Sequence, residues 1–291
     1  MAHRIFHNDR RSLFHIRRIF HFTIRFFCCI ISSINKNLTA GVYKMEMKRL
    51  RKFLLITFFI TGLAWGSLAI FTKLCLISFT HPIGTMLHII GGFGPTIASL
   101  FVLEEKLTFK AAVRFVFKYK RKTMFYFGIL AAMAIAVIGI SSMEFNAALP
   151  WYLIPIVFLQ AVFVYGGEEE LGWRGTMQPI LEKKFPFPIA TVITGTVWGI
   201  WHIPLWFVEG SSQQNMAFPF FLILGVLLSF FLAALYKSTQ CVFACNVFHG
   251  LINTLLSMFV IKLNLILIFG LIVMFVYSVY LWYSEDNKSA T

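Results

Sequence analysis

The chain has 291 residues, 58% of them hydrophobic and only 13% charged, with 34 Phe and a mean hydropathy of +0.77. A soluble domain of that size needs far more polar material to cover its surface, so an integral membrane protein is expected. The formal net charge of +14 then reads as membrane orientation and contact with anionic lipid, and nucleic-acid binding is not expected, because no soluble basic domain is present to carry it.

Residues 1–44 stand apart, with eight Lys or Arg against one Asp and no Glu, and the composition changes abruptly at Met45. SLFHIRRIFHFTIRFF reads as a basic amphipathic arm on the membrane surface. The favoured alternative is that the start lies at Met45, since AGVYKM can be encoded with AGGAG, a bacterial ribosome-binding sequence, just ahead of that codon. Residues 45–291 are expected to form a single transmembrane domain.

Stretches of roughly 20 apolar residues, the length a spanning helix needs, follow at 53–72, 84–103, 124–143, 151–170, 187–207, 216–235, 240–259 and 264–283. They predict an all-α polytopic bundle of about eight spans. Lys and Arg cluster in KMEMKRLRK, KLTFKAAVRFVFKYKRK and RGTMQPILEKK and recur at Lys237, whereas the alternate loops MEFNAALP and VEGSSQQN carry none. This bias predicts a multi-pass cell-membrane protein with a cytoplasmic amino end and a Glu cluster toward the cytoplasmic face; Lys262 alone departs from it. The second basic loop is expected to form an interfacial amphipathic helix.

The fourth span runs into GGEEELGWRG, where a charge at membrane depth costs roughly 2.5–3.5 kcal/mol and marks a candidate functional site. With no Pro between 160 and 178, the helix is expected to continue past Glu168. Glu170 and Arg174, one turn apart, then pair, while Glu169 points a quarter turn away and stays unpaired. Gly172 and Gly175 leave room for close helix approach. The fifth span places Trp198 and His202 one turn apart ahead of Pro204, and the seventh places His249 and Asn253 on one face. A carboxylate, two imidazoles and an amide inside an apolar bundle can activate water and stabilise an oxyanion. Counted along their helices at ~1.5 Å per residue, these groups start at different depths, so they converge only if helices tilt or the fourth and fifth spans reach beyond these boundaries.

The ordered motifs EExxxR (Glu169, Glu170, Arg174), aromatic-xxx-His (Trp198, His202) and HxxxN (His249, Asn253) resemble the CAAX protease and bacteriocin-processing family of intramembrane proteases, also called the Abi family. Residues 160–255 form the motif core. The resemblance implies a peptide-bond hydrolase acting on a peptide or membrane-protein substrate, with Glu169 and His202 at the water, Glu170 beside them, and His249 and Asn253 at the developing oxyanion. It also implies support from Arg174 and from Trp198, which stands where the family more usually has Phe. Glu169, His202 and His249 are candidate ligands for a divalent metal such as zinc with an open position for water. The preferred form is metal-free, with Glu169 as base. The alternative is a noncatalytic bacteriocin-immunity or regulatory membrane partner on the same scaffold. A secondary transporter would show inverted repeats and broken helices in matching halves, and neither is evident in the sequence.

Overall fold

The computed structural model describes residues 41–103, 109–118, 122–142 and 144–290. The basic arm, or early start, expected at 1–44 lies outside the described residues apart from the helical backbone that begins at Gly41. Two units divide after Arg51, Met1–Arg51 and Lys52–Thr291, and the second holds every motif residue. In the first, Glu46 and Arg49 pair at 3.0 Å across one helical turn.

The helices are α1 (Gly41–Lys73), α2 (Pro82–Gly92), α3 (Gly94–Val102), α4 (Phe109–Val116), α5 (Thr123–Ser142), α6 (Ile154–Phe163), α7 (Gln178–Glu182), α8 (Phe187–Trp201), α9 (Phe218–Thr239), α10 (Val242–Met258) and α11 (Leu265–Ala290). The protein is an all-α helical bundle, and among the described residues seven helical stretches are long and apolar enough to cross a membrane. Stripes such as Leu55, Phe59 and Leu63, spaced by one turn along α1, remain exposed, as a lipid-facing surface requires. The basic loop after the second span contains α4, a short helix where one was expected.

The eighth expected span, at 240–259, is α10, with 17 residues. At ~1.5 Å per residue it is slightly shorter than the ~30 Å hydrocarbon core. It stops because the chain after Met258 turns extended and bridges Phe259 to Phe145. Around that bridge, Asn146 donates its N–H to Met258 O at 2.7 Å and Val260 to Glu144 O at 3.0 Å. Lys262, the exception to the charge pattern, pairs here with Glu144 at 2.5 Å, both exposed.

Within the second unit α8 packs on α9, α9 on α11, α11 on α5, and α10 lies against α5, α6 and α9. Leu130, Ala134, Leu232, Leu235, Phe248 and Met274 fill the space between them. This packing holds α10 rigidly behind the fourth span, with His249 and Asn253 on it.

The fourth span is not one continuous helix, contrary to the expectation from its lack of proline. α6 ends at Phe163, and Gly166 takes φ +128°. The chain then resumes as a 3-10 turn at Gly167–Glu169, one α-turn at Glu170–Gly172 and a π-turn at Trp173–Met177 before α7. A backbone at that φ is open to glycine and strained for other residues. The whole segment, Trp151–Glu182, is 32 residues long. The Glu cluster therefore sits in the interior of the span rather than at its end, which removes most of the depth mismatch with His202 and His249. Close approach follows at Gly172, where a Cβ would meet the Pro95 backbone at 2.9 Å, bringing α3 against the Glu turn.

Candidate active site

Glu169 ends the 3-10 turn that follows the break and is only 5% exposed. The expectation that it stays unpaired is corrected: its Oε2 accepts the indole N–H of Trp198 at 2.5 Å and of Trp173 at 3.3 Å. Trp173 reaches it from the next turn of the same segment, and Trp198 from α8. Together they hold one oxygen and leave Oε1 facing His202 Nε2 at 3.9 Å.

His202 closes α8, and Ile203–Phe207, with Pro204 in it, turns away as a 3-10 helix. Its Nδ1 lies 2.9 Å from the carbonyl of Trp198, the residue one turn earlier. A carbonyl only accepts, so Nδ1 carries a proton and Nε2 faces Glu169; in its neutral form the ring offers the Nε2 lone pair there. Two acceptors 3.9 Å apart are a fitting cradle for a molecule with two protons to give.

The neighbouring carboxylate is built differently. Glu170 is fully buried and pairs with Arg174 at 3.2 Å, as the one-turn spacing predicted. It also accepts from His249 Nδ1 at 2.7 Å, a contact no spacing announced. Arg174, 1% exposed, donates in turn to the hydroxyl of Ser229 at 2.8 Å. Glu170 thus fixes the ring of His249 and turns Nε2 into the site.

His249 and Asn253 share one face of α10 and converge on Gly166. A Cβ there would lie 3.0 Å from His249 Nε2 and closer still to Asn253 Nδ2, so the break needs glycine for space as well as for φ. Asn253 donates one amide N–H to the carbonyl of Tyr165 at 2.8 Å, retaining a second. Between the two imidazoles stands Trp198, its ring centroid 4.6 Å from His202 and 5.9 Å from His249.

The structure therefore brings Glu169, Glu170, Arg174, Trp198, His202, His249 and Asn253 into one cluster. Sequence reasoning gave Trp198 an aromatic role only; its N–H is what reaches the carboxylate. It passed over Trp173 and Ser229, and it gave Glu168 no role. Glu168 is buried, accepts the Gly166 N–H at 2.6 Å on its side chain and takes the Thr96 hydroxyl on its backbone carbonyl, so it pins the break. A third adjacent carboxylate next to two glycines was the available signal for this residue.

The metal set of Glu169, His202 and His249 does not fit as placed. A shared ion needs each donor about 2.0–2.2 Å away. Among the described residues no three His, Cys, Asp or Glu side chains stand together closely enough for that.

Residues 146–255 match the family described as type II CAAX prenyl endopeptidase, Rce1-like. The chain is also 29% identical over 127 residues to a protein of Methanococcus maripaludis named CAAX prenyl protease 2, covering 40% of this chain and 45% of that one. The chain thus spans less than half the length of the curated relative it matches.

Proposed function

We propose, from the match of residues 146–255 to the Rce1-like type II CAAX prenyl endopeptidase family, that this chain is an intramembrane endopeptidase. The observation that carries the reading is the Glu169–His202 cradle, with one carboxylate oxygen fixed by two indoles and the other 3.9 Å from an imidazole lone pair. A water donating one proton to Glu169 Oε1 and one to His202 Nε2 keeps a lone pair for attack on a peptide carbonyl. As the new C–O bond forms, Glu169 takes the water proton and the carbonyl π pair moves onto oxygen. His249, through Nε2–H when the ring carries both protons, and the second amide N–H of Asn253 donate to that oxyanion. The C–N bond then breaks, the proton passes from Glu169 to the leaving nitrogen, and a carboxylic acid and an amine remain. Each step is assigned to side chains alone.

Arg174 and Trp198 serve as supports, the first for Glu170 and the second for Glu169. The loop charge bias supports a cytoplasmic amino end. A farnesylated CAAX peptide, after the relative's name, is the first substrate to try. Proteomic comparison of membranes holding active protein and Glu169→Gln is the test: cleavage products confined to the active membranes are expected, and identical termini in both would remove the protease reading. Bacteriocin immunity that survives both Glu169→Ala and His249→Ala would instead favour the noncatalytic partner.

A further inference from the structure

His88, on α2, lies outside the EExxxR, aromatic-xxx-His and HxxxN motifs and does not enter the chemistry above. Its imidazole is stacked between two aromatic rings, Trp65 at 5.8 Å and 20° and Tyr165 at 5.5 Å and 27°, with the edge of Phe79 at 5.3 Å. Each stacking partner also reaches the cluster. Trp65 lies 5.8 Å from the His202 ring and donates its indole N–H to the His88 carbonyl at 2.8 Å. Tyr165 offers the carbonyl that Asn253 holds. His88 is therefore one ring away from the water-activating side of the site and one residue away from its oxyanion side.

Packing does not account for an imidazole here. Three aromatic neighbours would hold a phenyl ring as well, without the desolvation cost of two polar nitrogens. Neither ring nitrogen of His88 makes a hydrogen bond to the described residues, and the side chain is only partly buried. Every other imidazole of the cluster has a protein partner, His202 on Trp198 O and His249 on Glu170. A partner for His88 has to come from outside the chain. In an extended peptide bound with its scissile carbonyl between Glu169 and Asn253, the groups that pass this wall are main-chain N–H and C=O groups next to the cleaved bond, and each needs a hydrogen bond once it leaves water.

We propose that His88 is a substrate-binding residue, hydrogen-bonding the peptide main chain beside the scissile bond while the Trp65–His88–Tyr165 stack fixes its ring. This rests on the endopeptidase reading. The stack-preserving variant His88→Phe removes only the nitrogens, and His88→Gln restores hydrogen bonding without the ring. The experiment uses full-length protein in liposomes with a quenched fluorescent farnesylated CAAX peptide, and thermal unfolding of each variant alongside. Expected is a rise in KM of about tenfold for His88→Phe, as for the loss of ~1.4 kcal/mol of binding, with kcat within threefold, an unchanged melting temperature, and partial recovery of KM in His88→Gln. Unchanged KM, or a lower melting temperature with normal KM, overturns the proposal and makes the residue a packing element. If wild type does not cleave this peptide, the failure lies in the activity reading for that substrate. Anisotropy of the labelled peptide then decides: binding to wild type that His88→Phe weakens keeps the proposal, and equal or absent binding removes it.

Discussion

Two Glu–His pairs stand side by side in this protein, made from adjacent carboxylates, and they are wired in opposite ways. In one, Glu170 and His249 touch at 2.7 Å, an Arg closes on the same carboxylate, and Ser229 closes on the Arg. In the other, Glu169 and His202 stay 3.9 Å apart, and the groups that hold them are indole N–H donors and a backbone carbonyl. Residue type is the same in both halves. What differs is whether a countercharge satisfies the carboxylate. The first pair is a closed network that fixes geometry, and the second is the open pair to which the proposed mechanism assigns the reacting water.

The largest effect is expected from breaking the closed half. Arg174→Ala leaves Glu170 buried with His249 as its remaining partner, and removing one member of a buried ion pair costs about 3–5 kcal/mol. That is a large share of the stability of an ordinary domain. The variant is expected to give little folded protein, read as a loss of monodisperse material in detergent. Normal yield and melting would show that the Glu170 half is not the structural one.

Glu169→Gln tests the open half. The amide keeps the shape and can still accept from Trp198 and Trp173 through its oxygen, so folding is expected to be retained. Loss of the proposed general base is expected to lower turnover by roughly 10²- to 10⁴-fold. The measurement is turnover per folded molecule beside a melting curve. Aggregation of this variant together with a well-behaved Arg174→Ala reverses the two assignments.

Asn253 belongs to both halves in part, because it braces Tyr165 beside the break and retains a second N–H, the proposed oxyanion donor. Asn253→Leu is expected to lower kcat by roughly two to three orders of magnitude, as for removal of one oxyanion donor, with KM little changed. A variant that melts earlier while its folded fraction turns over normally would leave Asn253 with the Tyr165 contact alone.

How much of this contrast could be read from the chain depended on how far apart its parts are. The Glu170–Arg174 pair and the shared face of His249 and Asn253 were legible, because helical periodicity fixes which residues one turn apart can meet. The contacts that define the roles join distant positions: Trp198 to Glu169, Ser229 to Arg174, His249 to Glu170. No local pattern encodes such pairings. The break at Gly166 was missed for a related reason. Glycine permits φ +128° without requiring it, and what demands it is the approach of His249 and Asn253 from α10. The fourth span was cut short at 170 because its charged residues lower the local hydropathy that marks a span, although partners from elsewhere bury them and the segment runs on to Glu182. Fold class needed only composition and period, so it was legible from the start.

The smallest effect sharpens the comparison most, because it touches the open half without emptying it. Trp198→Phe keeps a ring between the two imidazoles and removes the N–H that lies 2.5 Å from Glu169 Oε2. A hydrogen bond to a charged group contributes about 1.5–3 kcal/mol, but Trp173 still donates to the same oxygen at 3.3 Å, so part of the hold survives. The carboxylate is then free to swing away from His202 in a fraction of molecules, and a displacement of that kind lowers the chance of a near-attack geometry. Turnover is expected to fall about tenfold, the equivalent of ~1.4 kcal/mol, with KM and melting temperature close to wild type. Adding Trp173→Phe removes the second donor, and the two losses are expected to exceed additivity, because each indole covers for the other. Two independent, additive losses would mean that the indoles pack around Glu169 without positioning it. The difference between the two halves would then rest on the Arg174 countercharge alone.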